Sequence, residues 1–278
     1  MTIKIITDST SDISILELNS LEIEMVPLKV NFGSDTYIDK ITITNEEFYQ
    51  KLAASSNLPT TTLVNPEQFE EVFRKFSQDT IIAILISSQL SGTYQSAQIA
   101  KESCPDQEIY LIDSQNVSLG LALLVKEAVC LKEQGLTAAE IANRLEALKV
   151  KIRVYAIIDI LKYLVKGGRL SSSKGFIGNV LGLKPIIQIK EGVVWPVGQA
   201  KGFKAAVKKL RLIMETENKP DFAKEIAFAH SNNLPAIELL VEAVQNVHDF
   251  KSSGIYTIGS VVGSHAGPGT VGLAYFEK

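Results

Sequence analysis

The sequence predicts an α/β protein made of two α/β units, the first built on a mainly parallel sheet. Short Ile-rich runs bounded by polar residues read as strands buried on both faces. Amphipathic stretches lie between and after them. The same alternation resumes beyond residue 150, after the basic KVKIR.

The strand-like runs of the first unit, residues 1–150, are IKIIT (3–7), TIIAILI (80–86) and EIYLID (108–113). Helices are predicted over 66–76 and 117–134, the second with Leu121, Leu124, Val125, Ala128 and Val129 at helical spacing and Gly135 behind it. A third, over 137–148, opens with Thr137 placed for a capping box with Glu140. This order implies right-handed crossovers between parallel strands. The polar SSNLPTTTLVNP (55–66) reads as a long functional loop. The second unit, residues 151–278, holds VYAIIDIL (154–161), the Gly- and Ser-rich KGGRLSSSKGF (166–176) and KPIIQIKEGVVWPVG (184–198), with a hairpin at Glu191-Gly192. A long helix over 203–217 and strands near 225–229 and 255–261 complete it.

Over 278 residues, 46% are hydrophobic and 21% charged, and the net charge is -3, with no basic excess to attract nucleic acid or an anionic membrane. Cys104 and Cys130 are too few for a disulfide framework and lack the spacing of a zinc site, which points to a reducing cytoplasm. The start MTIKIITDST reaches Asp8 before an export signal could form, and no stretch approaches the ~18 apolar residues of a spanning helix.

In open parallel sheets ligands bind beyond the carboxyl ends of the strands. Three hydroxyl-rich segments fall there: DSTSD (8–12), SSQLSGT (87–93) and DSQNVS (113–118). Each reads either as a helix cap or as a ligand seat. Ser91-Gly92-Thr93 exceeds what a cap needs, because the glycine lets a backbone N–H approach an anion. The segment is neither a P-loop nor a G-x-S-x-G elbow. Of the histidines, His248 reads as solvated, His230 as a satisfied residue at a strand end, and His265 as held on a tight glycine-rich loop, GSVVGSHAGPGTVGLA (259–274). No metal motif is present, and Asp8 and Asp12 read as a capped helix start.

Taken in order, ITDSTSD (6–12), LPTTTLVNPEQF (58–69), SSQLSGTYQSA (87–97), IDS (112–114), LKYLVKGGRL (161–170), LKPII (183–187) and GSVVGSHAGPG (259–269) resemble the DegV family, whose members include the fatty-acid-binding subunits of bacterial fatty acid kinases. The resemblance covers essentially the whole chain. It implies two α/β domains with a lipid carboxylate near their junction and its tail in an apolar tunnel. Ser91 and the Gly92 backbone would hold the carboxylate with Thr61 or Thr62, and His265 would approach directly or through water, with an imidazolium as one option. Tunnel candidates are Ile157, Ile158, Leu161, Leu164, Phe176, Ile177, Val180, Leu181, Ile186 and Ile187, all residues that an ordinary core would also use. Lys166 and Arg169 are either a plain turn or a positive surface for a kinase. Two positions depart from the family pattern: Thr62-Leu63-Val64 replaces a Ser-Gln-Pro-type segment, and Lys201 stands where an arginine is common.

The implied function is to bind a long-chain fatty acid and present its carboxylate to a separate ATP-dependent kinase, with no cofactor of its own and at most transient membrane contact. Two alternatives stay open: an acyl hydrolase or acyltransferase with Ser91 as nucleophile and His265 as base, and a lipid carrier without a kinase.

Overall fold

The computed structural model describes residues 2–170, 182–246 and 249–278. β1 (Ile3–Asp8), β2 (Glu24–Val26), β6 (Thr80–Leu85) and β7 (Ile109–Asp113) form a parallel sheet in the order β2-β1-β6-β7. β6 is buried along its whole length, as its unbroken apolar run requires. The connecting helices are α1 (Ile15–Ser20), α3 (Pro66–Lys75), α4 (Thr93–Glu102), α5 (Leu119–Glu133) and α6 (Ala138–Lys149). The Thr137–Glu140 capping box at the start of α6 is formed. A small antiparallel sheet, not expected from the sequence, joins β3 (Lys29–Phe32), β4 (Asp35–Ile38) and β5 (Thr60–Thr62) in the order β4-β3-β5, with α2 (Asn45–Ala54) between β4 and β5. Residues 55–66, read as a loop, thus carry a strand.

From Ile152 onward the strands belong to a six-stranded sheet in the order β10-β9-β8-β13-β11-β12. They are β8 (Ile152–Ile157), β9 (Leu183–Lys190), β10 (Val193–Lys201), β11 (Glu225–His230), β12 (Ser252–Thr257) and β13 (Val271–Phe276). All pairings are antiparallel except β11 with β12. β9 and β10 meet at Glu191-Gly192, whose positive φ angles of 52° and 80° suit the predicted tight hairpin. The expected strand over 255–261 stops at Thr257, because Gly259 and Ser260 start α10 (Ser260–Ala266). His265 therefore sits on a short helix rather than a loop. α7 (Leu161–Lys166), α8 (Phe203–Thr216) and α9 (Leu234–Gln245) complete the elements used below.

Strand alternation gives the second sheet two apolar faces. Tyr155, Ile157, Ile186, Phe228, Val271, Leu273 and Tyr275 pack against α8 and α9. Val154, Ile187, Ile189, Ala229 and Ala274 face the other way and join a core that runs through α5 to Ile5, Ile82 and Ile84 of the first sheet. The largest core is thus continuous across residue 150.

Candidate functional site

Each crowded serine after β6 has a separate partner. The Ser87 hydroxyl donates to the Gly192 carbonyl at 2.8 Å, which ties the β9–β10 hairpin to the first sheet. Ser88 donates from its hydroxyl to Asp113 Oδ2 at 2.6 Å. The buried Asp8 accepts the Ile86 N–H at 2.7 Å and the Thr10 N–H at 2.9 Å, so the turn after β6 is fixed from β1. Burial pushes the Asp8 carboxyl pKa up, against the hydrogen bonds and Lys40 that favour its charged form.

Ser91 is used differently. Its hydroxyl lies 2.9 Å from Thr93 Oγ1 and accepts the Thr93 N–H at 3.3 Å, leaving it part-exposed in a cavity. Gly92 begins α4 without a side-chain cap, and its N–H donates to no group among the described residues. A Cβ on Gly92 would lie 3.0 Å from Leu63 Cδ2, so the glycine also admits the neighbouring loop.

From the other side come β5 and α10. Thr61 Oγ1 lies 3.0 Å from His265 Nε2. Alternation along β5 sends Thr62 the opposite way, where its hydroxyl accepts from Asn31 Nδ2 at 3.0 Å and lies outside the cavity. Of the two threonines offered by the sequence, Thr61 is the one at this site. His265 Nδ1 is buried and has no hydrogen-bond partner among the described residues. Gly167 backs the ring so closely that a Cβ there would lie 2.4 Å from Nδ1. Burial first, then the Arg169 guanidinium, lower the His265 pKa to about 4. The imidazole of the protein itself is therefore neutral near pH 7.

Thr61, Ser91, Gly92 and His265 all line one cavity, with about 1150 Å³ of empty space, its open mouth included. Beyond these groups, and beside Thr10, Ser118, Arg169 and Thr270, its wall is mostly apolar: Leu28, Leu63, Ile86, Leu90 and Leu119 from the first half, and Val154, Ile158, Leu164, Ile187, Ile189, Val194 and Ala229 from the second. Ile158, Leu164 and Ile187 were among the expected wall residues. Ile157 and Ile186 were expected there too, but they point to the opposite sheet face and pack with α8 and α9. Leu161 packs part-buried on the larger core without lining the cavity. Phe176, Ile177, Val180 and Leu181, like His248, lie outside the described residues.

The first half's share of the wall was missed. Its sequence signal was present in Ile86 and Leu90, one just before SSQLSGT and one within it. Arg169, read as a surface residue, is exposed yet borders the cavity, with Nη1 donating to the Gly167 carbonyl at 2.6 Å. A second, polar cleft shares Thr61, Arg169 and His265 with the cavity and is lined by Lys162 and Lys166. Lys201, at the end of β10, is exposed and lines neither.

The arrangement lacks the contacts of a serine–histidine relay. Ser91 bonds to Thr93 and His265 to Thr61, and no carboxylate orients Nδ1 among the described residues. No cluster of metal-ligating side chains occurs among the described residues, and no described helix is long and apolar enough to cross a membrane.

The model of the DegV family, described as an uncharacterised protein, matches residues 2–278. A DegV domain-containing protein of Caldanaerobacter subterraneus subsp. tengcongensis is 35% identical over 99% of both chains. A solved DegV family protein from Thermus thermophilus, described for its fatty acid binding, is 32% identical, covers 100% of each chain and superposes with a TM-score of 0.90. A stearic acid-binding protein from Eubacterium ventriosum is 27% identical, covers 100% of this chain and 99% of its own, and gives a TM-score of 0.88.

Proposed function

The chain belongs to the DegV family, and from that premise and the shape of its cavity we propose that it binds a long-chain fatty acid and presents the carboxylate to a separate kinase. The observation that carries this reading is the make-up of one cavity: the hydroxyls of Ser91 and Thr61, the Gly92 backbone and the His265 imidazole share it with a lining that is mostly apolar side chains. Ser91, Gly92, Thr61 and His265 would hold the carboxylate through charge-assisted hydrogen bonds. The apolar wall would take the tail. A dozen buried methylenes at about 0.8 kcal/mol each contribute on the order of 10 kcal/mol before ordering costs, so the tail supplies affinity and the head supplies orientation.

The relatives described as binding fatty acid or stearic acid support the ligand class. The kinase step rests on the family resemblance and on the cationic cleft beside the head groups, where Lys166 and Arg169 would meet an acidic or phosphorylated partner surface. Without a nucleotide motif of its own, the chain would supply positioning while the partner supplies phosphoryl transfer. Its two unpaired cysteines suit a carrier in the cytoplasm.

Denaturing extraction of the purified protein followed by mass spectrometry tests the ligand. Near-stoichiometric long-chain fatty acid from the wild type, reduced in Ser91→Ala, is expected. An empty protein that hydrolyses acyl esters in a Ser91-dependent way would contradict it. Formation of acyl phosphate from ATP, requiring this chain together with a kinase from the same organism, tests the second step.

A further inference from the structure

α10 carries His265 but is only seven residues long, and Gly259, at its start, has no side chain to satisfy the first N–H groups. The other half of the chain holds that start. Asp12 Oδ1 accepts the Gly259 N–H at 2.9 Å, and Asp39 Oδ1 accepts the Ser260 hydroxyl at 2.6 Å. The Tyr49 hydroxyl donates to the Ile258 carbonyl at 2.9 Å. A Cβ on Gly259 would lie 2.9 Å from Asp12 Oδ1, so glycine is what lets the carboxyl come this close.

Asp12 makes a second contact that a simple helix cap does not need. Its Oδ2 accepts the Ser118 hydroxyl at 2.5 Å. Ser118 lines the cavity and starts α5 with φ 54° and ψ −125°, a backbone conformation that a non-glycine residue holds only under constraint. The two ends of one buried carboxyl therefore bind two segments of cavity wall, one ending in His265 and one beginning at Ser118.

We propose that Asp12 is a positioning residue: it brackets Ser118 and the start of α10 and thereby sets His265 against Thr61 at the head of the cavity. The functional consequence rests on the fatty-acid reading above; the positioning itself does not. α10 is a short rigid lever, with His265 six residues beyond Gly259, about 9 Å along a helix axis. A shift at its start reaches the imidazole.

The test uses imidazole NMR of the full chain, which has three histidines, with His265→Gln to assign the signal, alongside stearate titration. Asp12→Ala is expected to move the His265 resonances and weaken stearate binding about tenfold or more. Gly259→Ala, whose φ of −73° suits alanine, perturbs the same contact from the other side and is expected to move the same resonances. Asp12→Asn, whose amide can accept from Gly259 and donate to Ser118, is expected to keep the wild-type resonances and bind within about threefold of wild type. Folded Asp12→Ala or Gly259→Ala with unchanged His265 resonances would overturn the proposal. So would an Asp12→Asn as damaged as Asp12→Ala, since charge and not the bracket would then be the cause. If Asp12→Ala does not fold, Gly259→Ala and Asp12→Asn decide. Expected His265 shifts in a chain that binds no stearate would support the positioning and reject the fatty-acid reading.

Discussion

Thr61 and His265, 204 positions apart in the chain, meet side chain to side chain at 3.0 Å. The contact joins β5 to α10 and puts a hydroxyl and a neutral imidazole together in the wall of a mostly apolar cavity. Either group can donate to a carboxylate once the tautomer and the hydroxyl rotate to suit it.

Thr61 and Thr62 differ only in which face of β5 they occupy. Thr61→Val should weaken stearate binding about tenfold, the effect of losing one hydrogen bond to a charged group. Thr62→Val, which loses a contact with Asn31 outside the cavity, should leave it within about twofold. Calorimetric titration of the two variants checks the pair.

His265 gives stability a pH dependence of defined sign. Its folded pKa of about 4 lies below the ordinary value of 6.5, so between those values the unfolded chain binds more protons. Stability is expected to be whole above about pH 6.5 and to fall as pH drops toward 4, and His265→Gln should flatten that slope. A bound carboxylate beside the ring should raise its pKa, which NMR titration with and without stearate would show.

Asp12 tilts stability the other way. Burial raises its pKa to about 7 from 3.8, with the nearby Asp39 adding to the rise and Lys40, Ser118 and Gly259 opposing it. The folded chain holds the extra proton in that window, so this contribution is present at low pH and is lost as pH rises toward 7. Asp12→Asn should therefore gain stability relative to wild type between pH 4 and 8, read from urea unfolding at the two ends.

Gly167 ends α7 with an ordinary helical φ of −68°, where alanine is normally tolerated. Here its Cβ would strike His265 Nδ1. Gly167→Ala should cost both stability and stearate affinity. In a His265→Ala background the stability cost should largely vanish, so a double-mutant cycle measures the contact.

Ala156 and Ile157 are neighbours on β8 that serve opposite faces. Ile157→Ala should cost about 2–5 kcal/mol of stability in the core under α8 and α9 without changing acyl-chain preference. Ala156→Phe, placed in the cavity wall, should shift preference toward shorter chains. Thermal unfolding and a chain-length titration separate the two effects.

The parallel strands, the helices over 66–76, 117–134 and 137–148, and the hairpin at Glu191-Gly192 were legible because periodicity, caps and turn chemistry are local. Thr62 was indistinguishable from Thr61, and Ile157 from Ile158, because only strand register decides which face a residue takes. Residues 259–266 read as a loop because their glycines suppress helix propensity, while the groups that stabilise α10, Asp12, Asp39 and Tyr49, lie far away in the chain. The cavity's apolar wall was assigned to the second half alone. Leu28 and Leu119 join it through packing that no local pattern announces.

The most direct measurement is a crystal structure of the protein grown with stearate. We expect the carboxylate within hydrogen-bond reach of the Ser91 hydroxyl, the Gly92 N–H and Thr61, with the tail running between Ile158, Ile187 and Ile189. Stearate lying outside this cavity, or reversed within it so that the carboxylate is remote from Ser91 and Thr61, would contradict the assignment of the site.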